Sequence, residues 1–208
     1  LYNAYSSADE LSLDKLPEQP HIIKTNHGCG GVFIIRDKKD FELTTVKSAL
    51  TKQLSYNFYH ALREPQYKNI PPRILIEKLL LDKAGNIPSD YKIHCFNGMP
   101  TFIEVATDRF TEHAVIVYDT KWQALDNVKW KFPKAPPQPE PQNLSKMLYL
   151  AKLLSKDFIY VRVDLYNVDG HIYFGELTFT PGAGFSKFEQ YQTDLDWGNL
   201  LQLPIDKN

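Results

Sequence analysis

The sequence has little cysteine, no excess of charge of one sign and no long apolar run, and each shortage excludes a class of protein. Its two cysteines, Cys29 and Cys95, match neither a CxxC nor a zinc spacing, which indicates free thiols in a reducing compartment. The 24 Lys and Arg residues balance 25 Asp and Glu residues, so no basic field indicates nucleic-acid binding. The most apolar run, residues 74–81, is interrupted by Glu77 and Lys78 and is too short to span a membrane.

What remains is the composition of a globular chain. Its 208 residues, 43% of them hydrophobic, can bury one sizeable core and fit one domain or two tight subdomains. Neither a signal peptide nor an internal repeat is visible. The first residue is Leu1 rather than Met, from which we expect a fragment whose upstream portion is missing.

The hydrophobic pattern predicts a mixture of strands and helices. Alternation and β-branched residues predict strands over 20–26, 32–37, 73–80, 90–96, 100–109 and 113–119. A three-to-four spacing predicts one helix from about Thr44 to Arg63, and Asn143 suits the N-cap of another over 144–156. The Pro-rich segment 132–142 is typical of an extended surface connector.

Two strand-like runs near the C-terminus each carry an acid in the middle, Asp164 and Glu176. A two-residue Asp169-Gly170 turn would set Asp164 opposite Gly175, whereas a three-residue loop would set it opposite Glu176. We predict the second register, because two facing carboxylates suit a bound Mg²⁺. The alternative is a structural arrangement in which both acids pair with Arg162 or are solvated.

Three other segments carry candidate binding groups. Lys24 precedes the loop 27–31, whose three glycines allow backbone N–H groups to approach a phosphate; a plain hairpin tip with an exposed Lys is the alternative. Glu77 interrupts a buried-type strand and could accept a hydrogen bond from an amine of a flat heterocycle, or lie on an exposed edge. Lys92 and His94 share one strand face, where a phosphate could meet a cation, although a solvated Lys is commoner.

Taken in order, the segments IIKTNHGCGG, ILIEKLLLD, DYKIHCFNGMPTFIEVATDR and VRVDLYNVDGHIYFGELTFTPGAGFSKF resemble the TupA-like (teichuronopeptide biosynthesis) branch of the ATP-grasp family. The resemblance implies ATP and Mg²⁺ as cofactors. It assigns the ATP phosphates to Lys24, His27, Gly28, Gly30, Gly31 and Lys92; adenine and ribose to Glu77, Lys78, Leu80 and Asp82; transition-state charge to Arg162; and Mg²⁺ to Asp164, Glu176 and Thr178. Many ATP-grasp ligases have Asn in place of Thr178.

The resemblance also implies a fold and a division of the chain. We expect an α+β ATP-grasp core whose two lobes, 17–82 with the glycine loop and 83–208 with the metal site, clasp ATP between them. The family usually has an N-terminal lobe ahead of this point. Residues 1–16 are therefore predicted to be an extension or the end of a missing lobe.

By the same resemblance, the expected activity is that of a carboxylate-amine ligase working through an acylphosphate. Its substrates would be small or polysaccharide-linked, and it would act in the cytoplasm with cell-surface polysaccharide machinery, with the loop 181–184 bordering the acceptor. Two alternatives stay open. A sugar or polyol kinase would need a base, for which His94 and Asp108 are candidates. A non-catalytic nucleotide- or glycan-binding remnant could stack sugars on Trp122, Trp130 or Trp197.

Overall fold

The computed structural model describes residues 1–107, 112–128 and 132–204, and the chain forms two compact units. Unit 1 is Leu1–Leu80 and unit 2 is Leu81–Asn208. Each unit combines one antiparallel sheet with helices, which confirms the predicted α+β class. The finer division, with a separate segment 1–16 and a boundary between residues 82 and 83, stays a prediction.

Unit 1 is built on a four-stranded sheet. Its strands are β1 (Asn3–Tyr5), β2 (His21–Thr25), β3 (Phe33–Ile35) and β4 (Ile74–Lys78). They lie in the order β1-β4-β2-β3. Alternation sends Ile23, Ile74 and Ile76 into the core, where Val46 and Leu50 of helix α1 (Leu43–Leu54) pack against them. The intervening residues, Lys24 among them, face away from this core.

The single helix predicted from Thr44 to Arg63 is wrong in its middle, because the structure has two helices there. Helix α1 ends at Leu54, and α2 (Phe58–Leu62) starts anew. The Asn57 side chain accepts a hydrogen bond from the backbone N–H of Tyr59, which caps the second helix. A side chain that bonds its own backbone competes with helix continuation, and this local competition outweighs the apolar spacing.

Unit 2 is built on a five-stranded antiparallel sheet. Its strands are β5 (Asp90–Phe96), β6 (Met99–Thr107), β7 (Ala114–Asp119), β8 (Tyr160–Val168) and β9 (His171–Thr178). They lie in the order β7-β6-β5-β8-β9. The three strands predicted in the middle of the chain are therefore confirmed, although β6 is described only as far as Thr107. Two helices, α3 (Leu144–Ser155) and α4 (Tyr191–Gly198), complete the unit.

The two faces of the unit 2 sheet differ in chemistry. Helix α3 covers one face, where its buried Met147 and Ala151 share a core with buried apolar residues of β5, β6, β7 and β8 and with the partly buried Ile172 and Leu177 of β9. Asn143 precedes α3 as predicted, but its side chain donates to the Gly170 carbonyl instead of capping the helix. The opposite face is apolar where Trp197 of α4 packs against Phe96. Elsewhere the same face carries the charged residues of β5, β6, β8 and β9.

None of the helices in the described parts of the chain has both the length and the apolar character that a membrane span requires.

Candidate functional site

The glycine loop of unit 1 joins β2 to β3, and its glycines are favoured by close packing at Gly28 and by backbone conformation at Gly30 and Gly31. A Cβ on Gly28 would come within 1.9 Å of the Phe58 ring, and one on Gly31 within 2.0 Å of the Gln53 side chain. Gly30 and Gly31 have φ angles of +79° and +62°, which favour glycine. The loop therefore lies close to the two helices and offers a ligand bare backbone at the predicted phosphate contacts.

His27, which precedes the first glycine of the loop, was also predicted to contact phosphate. Its side chain is buried, and the residue is only 3% exposed. Its Nε2 lies 3.1 Å from the carbonyl oxygens of both Gln53 and Tyr56, at the end of α1. The ring thus anchors the loop to the helix. Any contact between His27 and a phosphate would have to come from its backbone.

Lys24 and Glu77, predicted to contact phosphate and adenine, form an ion pair with each other. The Lys24 Nζ lies 2.7 Å from the Glu77 carboxylate, and their side chains are 32% and 29% exposed. Ion pairs this exposed contribute about 0–1 kcal/mol, so each partner can exchange the other for a ligand at little cost. The pair is therefore compatible with the predicted roles.

The remaining predicted adenine and ribose contacts follow Glu77 along the chain. Lys78 is exposed at the end of β4, and Leu80 is half-buried. The Asp82 carboxylate accepts hydrogen bonds from the backbone N–H groups of Ala84 and Asn86, at 2.9 and 2.8 Å. Asp82 therefore organises its own turn, and the bond to Asn86 lowers the pKa of its carboxyl.

In unit 2, Asp164 and Glu176 do face each other across β8 and β9, but for a reason that the sequence reading missed. The predicted three-residue loop is wrong, because Val168 pairs with His171 across a two-residue turn of Asp169 and Gly170. A bulge on β9 at Gly175 then adds one residue, and Asp164 pairs with Glu176. A Cβ on Gly175 would lie 3.0 Å from the Asp164 carbonyl oxygen, so the bulge suits glycine.

Arg162 contacts both Asp164 and Glu176, and its side chain lies on the same face of the sheet as theirs. Its guanidinium donates to both carboxylate oxygens of Asp164, each at 2.7 Å, and lies 3.5 Å from Glu176. Burial raises the pKa of Asp164 while Arg162 opposes that rise, and the net direction is upward. Thr178 accepts from Arg162 at 3.1 Å and donates to Glu176 at 2.9 Å. The contacts of the alternative structural arrangement are therefore all present.

The donor set nevertheless fits Mg²⁺. The chain's described residues contain no group of three His, Cys, Asp or Glu side chains that could hold a metal. Mg²⁺ does not need such a group, because it keeps several waters and binds through one or two carboxylates together with substrate phosphates. Asp164 would supply a buried oxygen, and Glu176, whose side chain is 64% exposed, would supply one open to water and phosphate.

On the same face of the sheet, with Lys92 between it and Asp164, lies Glu104, which the sequence reading missed. Its side chain is 12% exposed and lies 3.7 Å from the Lys92 ammonium and 3.6 Å from the His94 ring. Burial disfavours its ionised form, but His94 and Lys92 outweigh that effect and lower the pKa of Glu104 to about 2. The only indication in the sequence that Glu104 belongs to the site was an acidic residue within an otherwise apolar run. That Glu104 pairs with Lys92 became known only from the register of β5 against β6.

That register again depends on a bulge. The β5–β6 turn consists of Asn97 and Gly98, both at positive φ, so Phe96 pairs with Met99. Between the pairs Cys95–Pro100 and His94–Phe102, strand β6 contains one extra residue. Without it, Glu104 would face the opposite side of the sheet. Both charged pairings of unit 2 are thus set by a tight turn followed by a bulge.

Of the residues proposed for the alternative functions, the three that the structure describes lie in less accessible places. His94 is 2% exposed, its Nδ1 lies 2.8 Å from the Tyr160 hydroxyl, and burial lowers its pKa. Trp197 is buried in the core, and Trp122 stacks on Tyr118 at 4.1 Å. Asp108 and Trp130 lie outside the described residues.

The predicted acceptor loop, Pro181–Gly184, follows β9 directly and forms a tight turn. Gly182 and Ala183 both adopt left-handed conformations, with φ angles of 58° and 56°. A non-glycine residue in this region is uncommon and is often found where a site needs a particular backbone shape. The role of the loop stays a prediction.

Solved structures similar to this chain are ligases of about twice its length. D-alanine–D-alanine ligase from Bacillus anthracis is 20% identical, with a TM-score of 0.49 over 87% of this chain and 50% of that one. The same enzyme complexed with ATP is 18% identical, with a TM-score of 0.49 over 95% and 54%. The ATP-grasp ligase PsnB with minimal precursor, Mg and ADP is 13% identical, with a TM-score of 0.43 over 85% and 43%. The chain thus spans about half the length of these proteins.

A comparison with curated proteins finds no match. The family profile described as TupA-like ATPgrasp, in contrast, matches residues 4–202, almost the whole chain. This match confirms the resemblance drawn from the ordered motifs, and with it the ATP-grasp fold. The chain belongs to the TupA-like ATP-grasp family.

Proposed function

We propose that this protein is an ATP- and Mg²⁺-dependent ligase that joins a carboxylate to an amine through an acylphosphate, in the cytoplasmic synthesis of a cell-surface polysaccharide or teichuronopeptide. The observation that carries the proposal is Lys92. Its side chain is only 11% exposed, and its ammonium lies 3.7 Å from the Glu104 carboxylate, which is an ion pair beyond hydrogen-bond distance. An ammonium has three hydrogen-bond donors, and phosphate oxygens would accept from those that this long ion pair leaves available.

The residues around Lys92 supply the other requirements of phosphoryl transfer. Mg²⁺ held by Asp164 and Glu176 would neutralise charge on the phosphates. Lys92 and Arg162 are cations on this face whose side chains are only 11% and 12% exposed, and they would stabilise the negative charge that spreads over the transferring phosphoryl group. Thr178 keeps Glu176 and Arg162 in place through its hydroxyl.

In unit 1, we assign the phosphates to Lys24 and to the backbone of Gly28, Gly30 and Gly31, and adenine to the segment from Glu77 to Leu80. A glycine loop covering the phosphates would also keep water from the acylphosphate, which an amine must reach first. The match to the TupA-like family supports this assignment. The loop from Pro181 to Gly184 would border the acceptor.

At His94, one of the two candidate bases for a kinase, the geometry favours the ligase. A kinase needs a general base within reach of the acceptor hydroxyl. His94 is buried to 2% exposure, and its ring is already in contact with Tyr160 and Trp197. A ligase needs no such base for the first step, because its carboxylate substrate is already ionised at neutral pH.

Trapping with hydroxylamine tests the proposal. The protein is incubated with MgATP, hydroxylamine and a panel of amino acids and uronic acids. An acylphosphate would be converted to a hydroxamate, with one ADP and one phosphate released for each. We expect the product with wild type and none with Lys92→Met, which keeps the length of the side chain. Transfer of the γ-phosphoryl group to a stable hydroxyl ester would support the kinase, and glycan binding without ADP formation would support the remnant.

A further inference from the structure

Glu104 has no role in the function proposed above, yet it is one of two carboxylates that flank Lys92. On one side of Lys92 the register places Asp164 of β8, and on the other it places Glu104 of β6. Arg162 donates one hydrogen bond to each oxygen of Asp164 at 2.7 Å, which leaves each oxygen a second lone-pair position for a metal. Glu104, in contrast, has the ion pair with Lys92 and also lies 3.6 Å from the His94 ring. Each buried cation thus has a carboxylate of its own.

Packing does not explain a carboxylate at this position. The neighbours of Glu104 on the same face of β6 are Phe102 and Ala106, and its cross-strand neighbour on β7 is Val117. An apolar side chain would suit this row. Burying a carboxylate there is costly unless it has a charged partner, and replacing a buried ion pair by apolar residues is often neutral or stabilising.

We propose that Glu104 is a positioning residue that draws Lys92 away from Asp164, so that Lys92 stays available to the nucleotide phosphates and Asp164 to Mg²⁺. The inference rests on the proposed function. Without Glu104, the carboxylate left directly across the sheet from Lys92 would be Asp164 on β8. Lys92 would then compete with the metal for the same oxygens.

This role predicts an effect opposite to that of simple charge repulsion. If Glu104 were only a nearby negative charge, its removal would strengthen the binding of anionic ATP. If it positions Lys92, its removal weakens ATP binding and raises the Mg²⁺ concentration that binding needs. The sign of the change therefore separates the two roles.

The experiment measures ATP affinity by calorimetry over a range of Mg²⁺ concentrations for wild type, Glu104→Gln, Lys92→Met and the double variant. We expect Glu104→Gln to lose at least tenfold in affinity and to need several-fold more Mg²⁺. The double variant should bind no more weakly than Lys92→Met alone, since Glu104 acts through Lys92. Asp126→Asn is the matched control, because it removes a carboxylate from an exposed ion pair with Lys134 and should change nothing.

Thermal melts show whether each variant is folded. If Glu104→Gln is not, Glu104→Asp carries the test, since its shorter side chain lengthens the ion pair and should weaken binding by less. Unchanged or tighter ATP binding by folded Glu104 variants, with Lys92→Met weakened, overturns this inference alone. Losses that multiply in the double variant also overturn it. Absence of ATP binding by wild type overturns the proposed function and the inference together.

Discussion

Lys24 in unit 1 and Lys92 in unit 2 are predicted to bind the same kind of group, but their surroundings differ. Lys24 is 32% exposed and has a direct contact of 2.7 Å with Glu77. Lys92 is 11% exposed, and its nearest acid, Glu104, is 3.7 Å away. Removal of one partner should therefore cost more at the buried pair, where it leaves a charge without a partner, than at the exposed pair, where water screens the remaining charge. Burial, more than distance, decides which charges matter to stability.

The two regions also offer a ligand different groups. In unit 1 the candidate contacts are mainly backbone, at glycines held close to α1 and α2. In unit 2 they are side-chain charges in a row across β9, β8, β5 and β6. Changes in unit 2 should therefore alter both stability and ligand binding, whereas changes at Lys24 should alter binding alone.

The largest effect is expected from Arg162→Met. This change leaves Asp164 buried without its partner, and breaking a buried pair costs about 3–5 kcal/mol in the free energy of unfolding. Urea denaturation measures it. The loss should shrink at low pH, where Asp164 becomes neutral. Lys134→Met, which breaks an exposed pair with Asp126, is the control and should cost less than about 0.5 kcal/mol. Equal losses in both variants would contradict the contrast between buried and exposed pairs.

A pH effect of similar size is expected from Glu104. Its pKa is lowered from 4.5 to about 2, so its ionised form stabilises the folded state above pH 4.5, and that contribution is lost as the pH falls towards 2. The shift corresponds to on the order of 3 kcal/mol. Melting temperatures of wild type and Glu104→Gln should therefore converge as the pH falls through this window. Parallel curves would show that Glu104 titrates normally.

Variants of Asp164 and Glu176 should show whether each carboxylate stabilises the fold, binds Mg²⁺ or does both. Asp164→Asn removes the charge that Arg162 contacts twice and should cost about 1–3 kcal/mol in stability. Glu176→Gln changes a side chain that is 64% exposed and should cost less than about 1 kcal/mol. Both variants should lose the Mg²⁺-dependent increase in melting temperature that ATP produces in wild type. If Glu176→Gln keeps this increase, Glu176 is not a metal ligand.

The smallest effect on stability is expected from Lys24→Ala, below about 1 kcal/mol, because its ion pair is exposed. Its ATP affinity should nevertheless fall at least tenfold, since a charge-assisted contact contributes about 1.5–3 kcal/mol. Calorimetry measures the affinity. Lys15→Ala is the control, because Lys15 is not predicted to contact the nucleotide. Unchanged affinity would remove Lys24 from the nucleotide site.

Much of the fold followed from local patterns, and the failures have local causes. Alternation and turn residues located β5, β7 and the hairpin of β8 and β9 close to their observed ends. The prediction of one long helix was wrong at Asn57, whose side chain accepts a hydrogen bond from the backbone N–H of Tyr59 and starts a second helix. The pairing of Asp164 with Glu176 was predicted correctly through a wrong loop, because a bulge at Gly175 has no unique signature in a sequence.

By itself, the sequence determined the strand periods, the places of the turns near residues 97–98 and 169–170 though not their lengths, and the ordered motifs of the TupA-like ATP-grasp family. These depend on neighbours along the chain or on the order of segments. Only the tertiary structure decided that His27 anchors its loop, and that Lys92 lies between Asp164 and Glu104. Those contacts join residues far apart in the sequence, and a bulge of one residue is enough to reverse which face of the sheet a side chain occupies.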